Sequence, residues 1–172
     1  MATVKHRFGP RDALYPASAY AQYKAVSGTS FPVESLAFDA ATEEMVYFQF
    51  PAINYGSGNI TVRIRWYADT ATTAVVVRWA AGIAAISPDI DTQDIETKAF
   101  PNTTANDQFF DDTHLTTTGQ RLHECTITVT STDSIAAEDW CVLRLTRVAA
   151  HANDSMTGDC LVTEVGVDYS DT

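Results

Sequence analysis

The sequence predicts an all-β protein, an antiparallel β-sandwich of about eight strands preceded by an extended N-terminal arm. Three observations carry this. Residues 59–86, NITVRIRWYADTATTAVVVRWAAGIAAI, hold two β-prone runs joined by a short polar turn. Shorter runs of the same kind recur between clusters of Gly, Pro, Asn, Asp and Ser, the punctuation of a two-sheet sandwich. The hydrophobic fraction of 45% is ordinary, but Thr, Val, Ile and aromatic residues figure heavily in it, which favours strands over helices.

In the first run of the 59–86 stretch, Ile60, Val62, Ile64 and Trp66 share one face, and Thr61, Arg63, Arg65 and Tyr67 share the other. This is the period-2 pattern of a half-buried strand. After the turn at residues 69–73, Val75, Val77 and Trp79 continue an apolar face. The opposite side carries Ala74, Val76 and Ala80 with only Arg78 charged. That second face is too apolar for bulk water, so it predicts a cover, either another subunit or the chain's own terminal segment. The two runs read together as a central hairpin.

Residues 1–30 read as the arm. Pro10 and Pro16 exclude a continuous helix, and Phe8, Tyr15, Tyr20 and Tyr23 are spaced as separate anchors. From Pro16 the stretch PASAYAQYKAV suits an edge strand better than a short helix. Residues 31–172 then form the sandwich. Its first strand is expected over residues 31–38, followed by the turn DAATEE and a strand over residues 45–50 that Pro51 ends. Beyond the central stretch, residues 87–121 are polar and acidic, with scattered anchors such as Ile90, Ile95, Phe100, Phe109 and Phe110. A connection of this length is usually functional or covers part of the sheet, and it is expected to hold one short strand or helical turn over residues 108–113. Alternation returns over residues 122–130, 140–147 and 160–169, with Ile135 as a buried anchor in the turn between the first two.

The net charge of −11 is unevenly spread. Lys5, Arg7, Arg11 and Lys24 against Asp12 give the arm +3, leaving −14 on the body. An acidic body excludes nucleic acid as the main partner, and a basic arm on it suits docking onto an acidic surface, a neighbouring copy included. No apolar run approaches the roughly 20 residues that cross a bilayer, and the N-terminus lacks a signal-peptide core, so neither a membrane partner nor export is expected. Cys125, Cys141 and Cys160 are odd in number and show no CxxC spacing, which points to buried free thiols in a reducing cytosol.

The chemistry-bearing residues propose no reaction. Asp89, Asp91, Asp94 and Glu96 crowd one loop and Asp111 and Asp112 another, but DIDTQD lacks the central glycine and distal glutamate of a calcium loop. A solvated acidic loop is the simpler reading. His6, His114, His123 and His151 show no zinc-ligand spacing, and His123 reads as a surface or edge residue. No GxSxG elbow or phosphate-binding glycine loop is present. Trp66 and Trp79 lie on the inner phase and read as core, which leaves Tyr67, with Tyr47 or Tyr55, as aromatic rings available to stack on a sugar. No catalytic, cofactor-binding or metal-binding residue is expected.

Three segments resemble a group of tailed-phage virion proteins. They are LAFDAATEEMVYFQF at 36–50, the 59–79 stretch, and LRLTRVAAHANDSMTGDCLVTEVGVDY at 143–169. The last carries a spaced pattern on Arg147, Asp154, Met156, Gly158, Asp159, Leu161 or Val162, Val165 and Tyr169. The resemblance implies a jelly-roll-like sandwich and a non-enzymatic role as a capsid decoration or cement protein, head-fibre component or tail accessory. It also implies a symmetric homo-oligomer, here expected to be a trimer, assembled in the host bacterial cytoplasm onto a virion. The partner would be the major capsid protein or another virion protein. On this reading Lys5, Arg7, Phe8 and Arg11 hook a neighbour, and Arg63, Arg65, Tyr67 and Arg78 serve the interface on the outer face of the hairpin. The rival is a carbohydrate- or receptor-binding module of a phage tail tip or fibre, using the 87–121 segment and exposed tyrosines. A hydrolase would require the acidic loops to converge in a cleft.

Overall fold

The computed structural model describes residues 3–70, 73–116 and 118–172. Ten strands are present among them: β1 (Thr3–Phe8), β2 (Gln22–Val26), β3 (Val33–Phe38), β4 (Glu44–Pro51), β5 (Ile60–Ala68), β6 (Val76–Ile86), β7 (Gln108–Thr113), β8 (His123–Val129), β9 (Trp140–Arg147) and β10 (Cys160–Ser170). One sheet runs β2-β3-β10-β5-β8, with β1 also paired to β10, and the other runs β4-β9-β6-β7. All pairings are antiparallel, and from β3 to β6 successive strands alternate between the sheets. This is the jelly-roll form of the sandwich.

Alternation places the core as expected. Along β5 the burial strictly alternates, Ile60, Val62, Ile64, Trp66 and Ala68 being buried. Val77, Trp79, Ala81, Ile83 and Ala85 of β6 face them from the other sheet within one cluster. Fully burying each large side chain here contributes about 1.5–3 kcal/mol relative to exposure. The expected hairpin does not form, however. β5 pairs with β10 and β8, whereas β6 pairs with β9 and β7. Trp66 and Trp79 meet across the sandwich, ring centroids 6.2 Å apart and nearly edge-on. A period of two fixes which face a strand buries and says nothing about which strand lies beside it.

Residues 3–30 do not stand off as an arm. β1 pairs with the C-terminal half of β10 from Thr3↔Ser170 to Phe8↔Val165, and β2 is the edge strand beside β3. Val4, His6 and Phe8 alternate inward: Phe8 stacks on Phe48 at 5.1 Å and His6 lies 5.2 Å from Phe50. Pro10 opens a 3-10 turn, Pro10–Asp12, where its missing N–H costs nothing. The two extra strands account for the difference between the eight expected and the ten found.

The outer face of β6 is covered along Ala80, Gly82 and Ala84 by an internal segment of the chain rather than by a terminal one. The connection between β6 and β7 folds back across it. Ala80, Gly82 and Ala84 form a small-residue row on this face, and a Cβ at Gly82 would run into the Asp107 carboxylate. Asp107 in turn receives a bidentate pair from Arg144 of β9, with Nη2 2.8 Å and Nε 3.0 Å from Oδ2, and Arg144 also donates to the Asn102 carbonyl at 3.0 Å. The predicted short strand within this connection is β7. The three cysteines are buried and free, and Ile135 is buried as expected.

Candidate functional site

The covering segment leaves a groove of about 320 Å³ on the outer face of the second sheet. Tyr47 and Trp140 point into it because each sits out of phase with the core residues of its strand, Val46 and Phe48 on β4 and Cys141 and Leu143 on β9. Phe100 and Lys98 line it from the covering segment, and Ile95, 57% exposed, forms its lip. Tyr47, Phe100 and Trp140 are all half-buried.

The groove is held open by fixed contacts. The Phe100 ring lies 6.0 Å from Tyr47 and takes the Arg144 guanidinium over its face at 4.3 Å. Since Arg144 is locked by Asp107, the ring has a defined plane. Lys98 Nζ lies 2.8 Å from Asp133, whose carboxylate also accepts the Ala85 N–H at 2.9 Å. The Tyr47 hydroxyl donates only to the Met45 sulfur, at 3.2 Å, a weak acceptor that a ligand oxygen would readily replace. Aromatic faces together with one weakly held hydroxyl and an ammonium paired to Asp133 suit a ligand with both apolar faces and hydroxyl edges.

The expected interface residues lie elsewhere, and Arg7, Arg11, Arg63, Arg65 and Arg78 are paired with carboxylates of the chain. On the outer face of the first sheet Arg7 pairs with Asp168 at 2.5 Å, Arg63 with Glu124 at 2.5 Å and Asp168 at 3.5 Å, and Arg65 with Glu124 at 2.9 Å and Glu164 at 3.1 Å. Hydrogen bonds from Arg65 and Arg63 hold the Glu124 carboxyl below its usual range. Each exposed pair of this ladder contributes about 0.2–1 kcal/mol. Lys5 is exposed opposite Asp168 in the register, Arg11 pairs with Glu34, and Phe8 faces the core. Arg78, on the other sheet, binds Asp111 at 2.6 Å and lies 4.4 Å over the Phe109 ring. Tyr67 is half-buried on the outer face of β5.

The acidic residues do not converge. Asp91 and Asp94 accept backbone N–H groups of their own loop. Neighbouring Asp111 and Asp112 point to opposite faces, Asp111 to Arg78 and Asp112 to Trp66 Nε1 at 2.7 Å. Among the described residues no three His, Cys, Asp or Glu side chains gather as metal ligands. His123, expected at the surface or an edge, does open the edge strand β8, but it is not at the surface: it is 5% exposed, stacked on Trp66 at 4.6 Å and beside His114 at 4.8 Å. Its strand phase, shared with Cys125 and Ile127, puts it inside. Sequence reasoning also missed Trp140, Phe100 and Lys98 as site residues. For Trp140 the signal was present, since it shares the outer phase of Val142 and Arg144; for the other two there was none, because their placement depends on how the 87–107 connection lies.

No family model matches the chain, and no curated protein matches it. Solved structures do. A family 35 carbohydrate-binding module from Clostridium thermocellum is 14% identical with a TM-score of 0.50, the match covering 95% of this chain and 97% of that one. A carbohydrate-binding module described for specific mannan recognition is 7% identical with a TM-score of 0.50, covering 99% of both chains. The isomalto-dextranase of Arthrobacter globiformis complexed with panose is 12% identical with a TM-score of 0.50; the match covers 98% of this chain and 23% of that one. These likenesses define a fold class, the jelly-roll β-sandwich that such carbohydrate-binding modules share.

Proposed function

We propose that this chain is a non-enzymatic glycan-binding module whose ligand lies in the groove of Tyr47, Phe100 and Trp140. The observation that carries the reading is the opening of three half-buried aromatic rings onto one groove whose backbone is already fixed by the Arg144–Asp107 pair. Stacking on such rings and hydrogen bonding to the Tyr47 hydroxyl and Lys98 recognise a sugar without any reacting group. The likeness to carbohydrate-binding modules supports the fold such a function uses, although a fold alone does not carry function. The order of motifs shared with virion proteins supports a setting at a phage tail tip or fibre. Capsid decoration through a free N-terminal arm has less support, since Arg7 and Arg11 are satisfied within the chain.

The test is an array of immobilised plant polysaccharides, dextrans and bacterial surface polysaccharides, probed with the purified protein and with Trp140→Ala and Tyr47→Ala. A saturable signal from the parent protein, weakened about tenfold or more in both variants, supports the reading. A protein that binds nothing on the array while remaining folded contradicts it.

A further inference from the structure

On the opposite face of the sandwich, β2, β3 and β5 border a larger cavity of about 580 Å³. Tyr67 of β5 lines it, and Phe31, 68% exposed, and Leu122, 58% exposed, form its apolar walls. At its rim Lys24 Nζ lies 3.3 Å from Asp69 Oδ2, both side chains a little over one-third exposed. The Gln120 side-chain amide reaches the Asp69 carbonyl at 3.5 Å. The volume falls within the range of small-ligand sites, which are mostly apolar with a few convergent polar groups.

The chemistry of the rim selects the ligand. A charged ligand would have to break the Lys24–Asp69 pair to engage either partner, leaving the other charge partly desolvated and alone. A purely apolar ligand would cover the pair and offer it no hydrogen bonds. A neutral ring bearing adjacent hydroxyls avoids both costs: one hydroxyl donates to the Asp69 carboxylate and its neighbour accepts from the Lys24 ammonium. The ring's apolar face meanwhile packs on Tyr67 and Phe31. We infer that this cavity is a second carbohydrate subsite, specific for a sugar residue with vicinal hydroxyls. The module is therefore bivalent, with sites on the outward faces of opposite sheets. Two such sites engaged by one polymeric glycan, or by two neighbouring strands, raise avidity without any new contact.

This inference rests on the glycan-binding reading, and one experiment separates the two. Amide chemical shifts of the isotope-labelled protein are followed during titration with mannotetraose, xylotetraose, cellotetraose and isomaltotetraose. Two saturable groups of shifts are expected with at least one sugar, one around Tyr47 and Trp140 and one around Tyr67, Gln120 and Thr163. The second group alone should disappear in Lys24→Met and in Asp69→Asn, two exposed substitutions that leave the core intact. Shifts confined to the Tyr47 and Trp140 region overturn the second subsite and leave the first reading standing. Shifts confined to the Tyr67 region support the second subsite and overturn the assignment of the first. An absence of shifts with all four sugars overturns both. Shifts at Phe31 and Leu122 that grow with protein concentration in the absence of sugar identify a surface for a second copy and overturn the subsite.

Discussion

Arg147 and Asp154 form a fully buried bidentate pair, with Arg147 Nε 3.1 Å and Nη2 3.0 Å from the two carboxylate oxygens and both side chains at 0% exposure. The remaining guanidinium hydrogens are satisfied by the Phe38, Gly158 and Met156 carbonyls at 3.1, 3.0 and 2.7 Å. Asp154 in turn accepts the Arg78 and Met156 backbone N–H groups. The spaced pattern Arg147, Asp154, Met156, Gly158 is therefore a clamp that ties β9, β6 and the end of β3 to the turn before β10. Its role is architectural.

Removing one partner of that clamp leaves a buried charge uncompensated. Arg147→Met should lower stability by about 3–5 kcal/mol, and Asp154→Ala by a similar amount. Urea unfolding of each variant against the parent protein measures this; a loss under about 1 kcal/mol would contradict a clamp role.

Gly82→Val places a branched side chain where the Asp107 carboxylate sits. The expected result is a loss of about 1–3 kcal/mol from overpacking, with the 87–107 segment displaced from the sheet. Limited proteolysis should cut the variant within that segment at a protease level that leaves the parent protein intact.

Acid should destabilise the fold in the range where histidine titrates. Burial, with neighbouring His114, lowers the His123 pKa below its ordinary 6.5. Burial, with Arg7, lowers that of His6 as well. The unfolded chain then binds protons at a higher pH than the folded chain does, so this part of the stability is complete above about 6.5 and declines as pH falls toward the folded values. Urea unfolding should show lower stability at pH 5.5 than at pH 7.5, and His123→Phe, which keeps the stacking on Trp66, should reduce the difference.

The thiols should be inert in the folded protein. Burial pushes Cys141 and Cys160 up to about 12, and Cys125 upward as well. Iodoacetamide at pH 8 should leave all three unlabelled by intact mass, and labelling should rise together with unfolding in urea.

What was legible in the sequence was whatever depends on local period. The inward faces of β5, β6, β8 and β9, with Trp66 and Trp79 among them, follow from alternation, and Ile135 from its place as the apolar anchor of a polar turn; each is found in the core. Partner choice was not legible, because Trp66 and Trp79 would be inward in a hairpin and in facing sheets alike. Ala74, Val76 and Ala80 marked an outer face too apolar for water, but nothing local said that an internal loop supplies the cover. The arginines shared one phase on β5, yet only the register with β8 and β10 shows that Glu124, Glu164 and Asp168 already meet them. The groove depends on the same non-local information: Trp140 shares the outward phase of Val142 and Arg144, a signal that went unread, and Phe100 joins it only through the Arg144–Asp107 anchor.

The measurement that tests the central claim most directly uses the position of the tryptophans. Of the three in the chain, Trp66 and Trp79 are fully buried and Trp140 is half-exposed in the groove. Intrinsic fluorescence is titrated with the oligosaccharide corresponding to the strongest array signal, for the parent protein and for Trp140→Phe. A saturable change in the parent protein that disappears in Trp140→Phe is the predicted result. An undiminished change in Trp140→Phe would mean that the sugar does not lie in this groove, and no saturable change in the parent protein would contradict glycan binding itself.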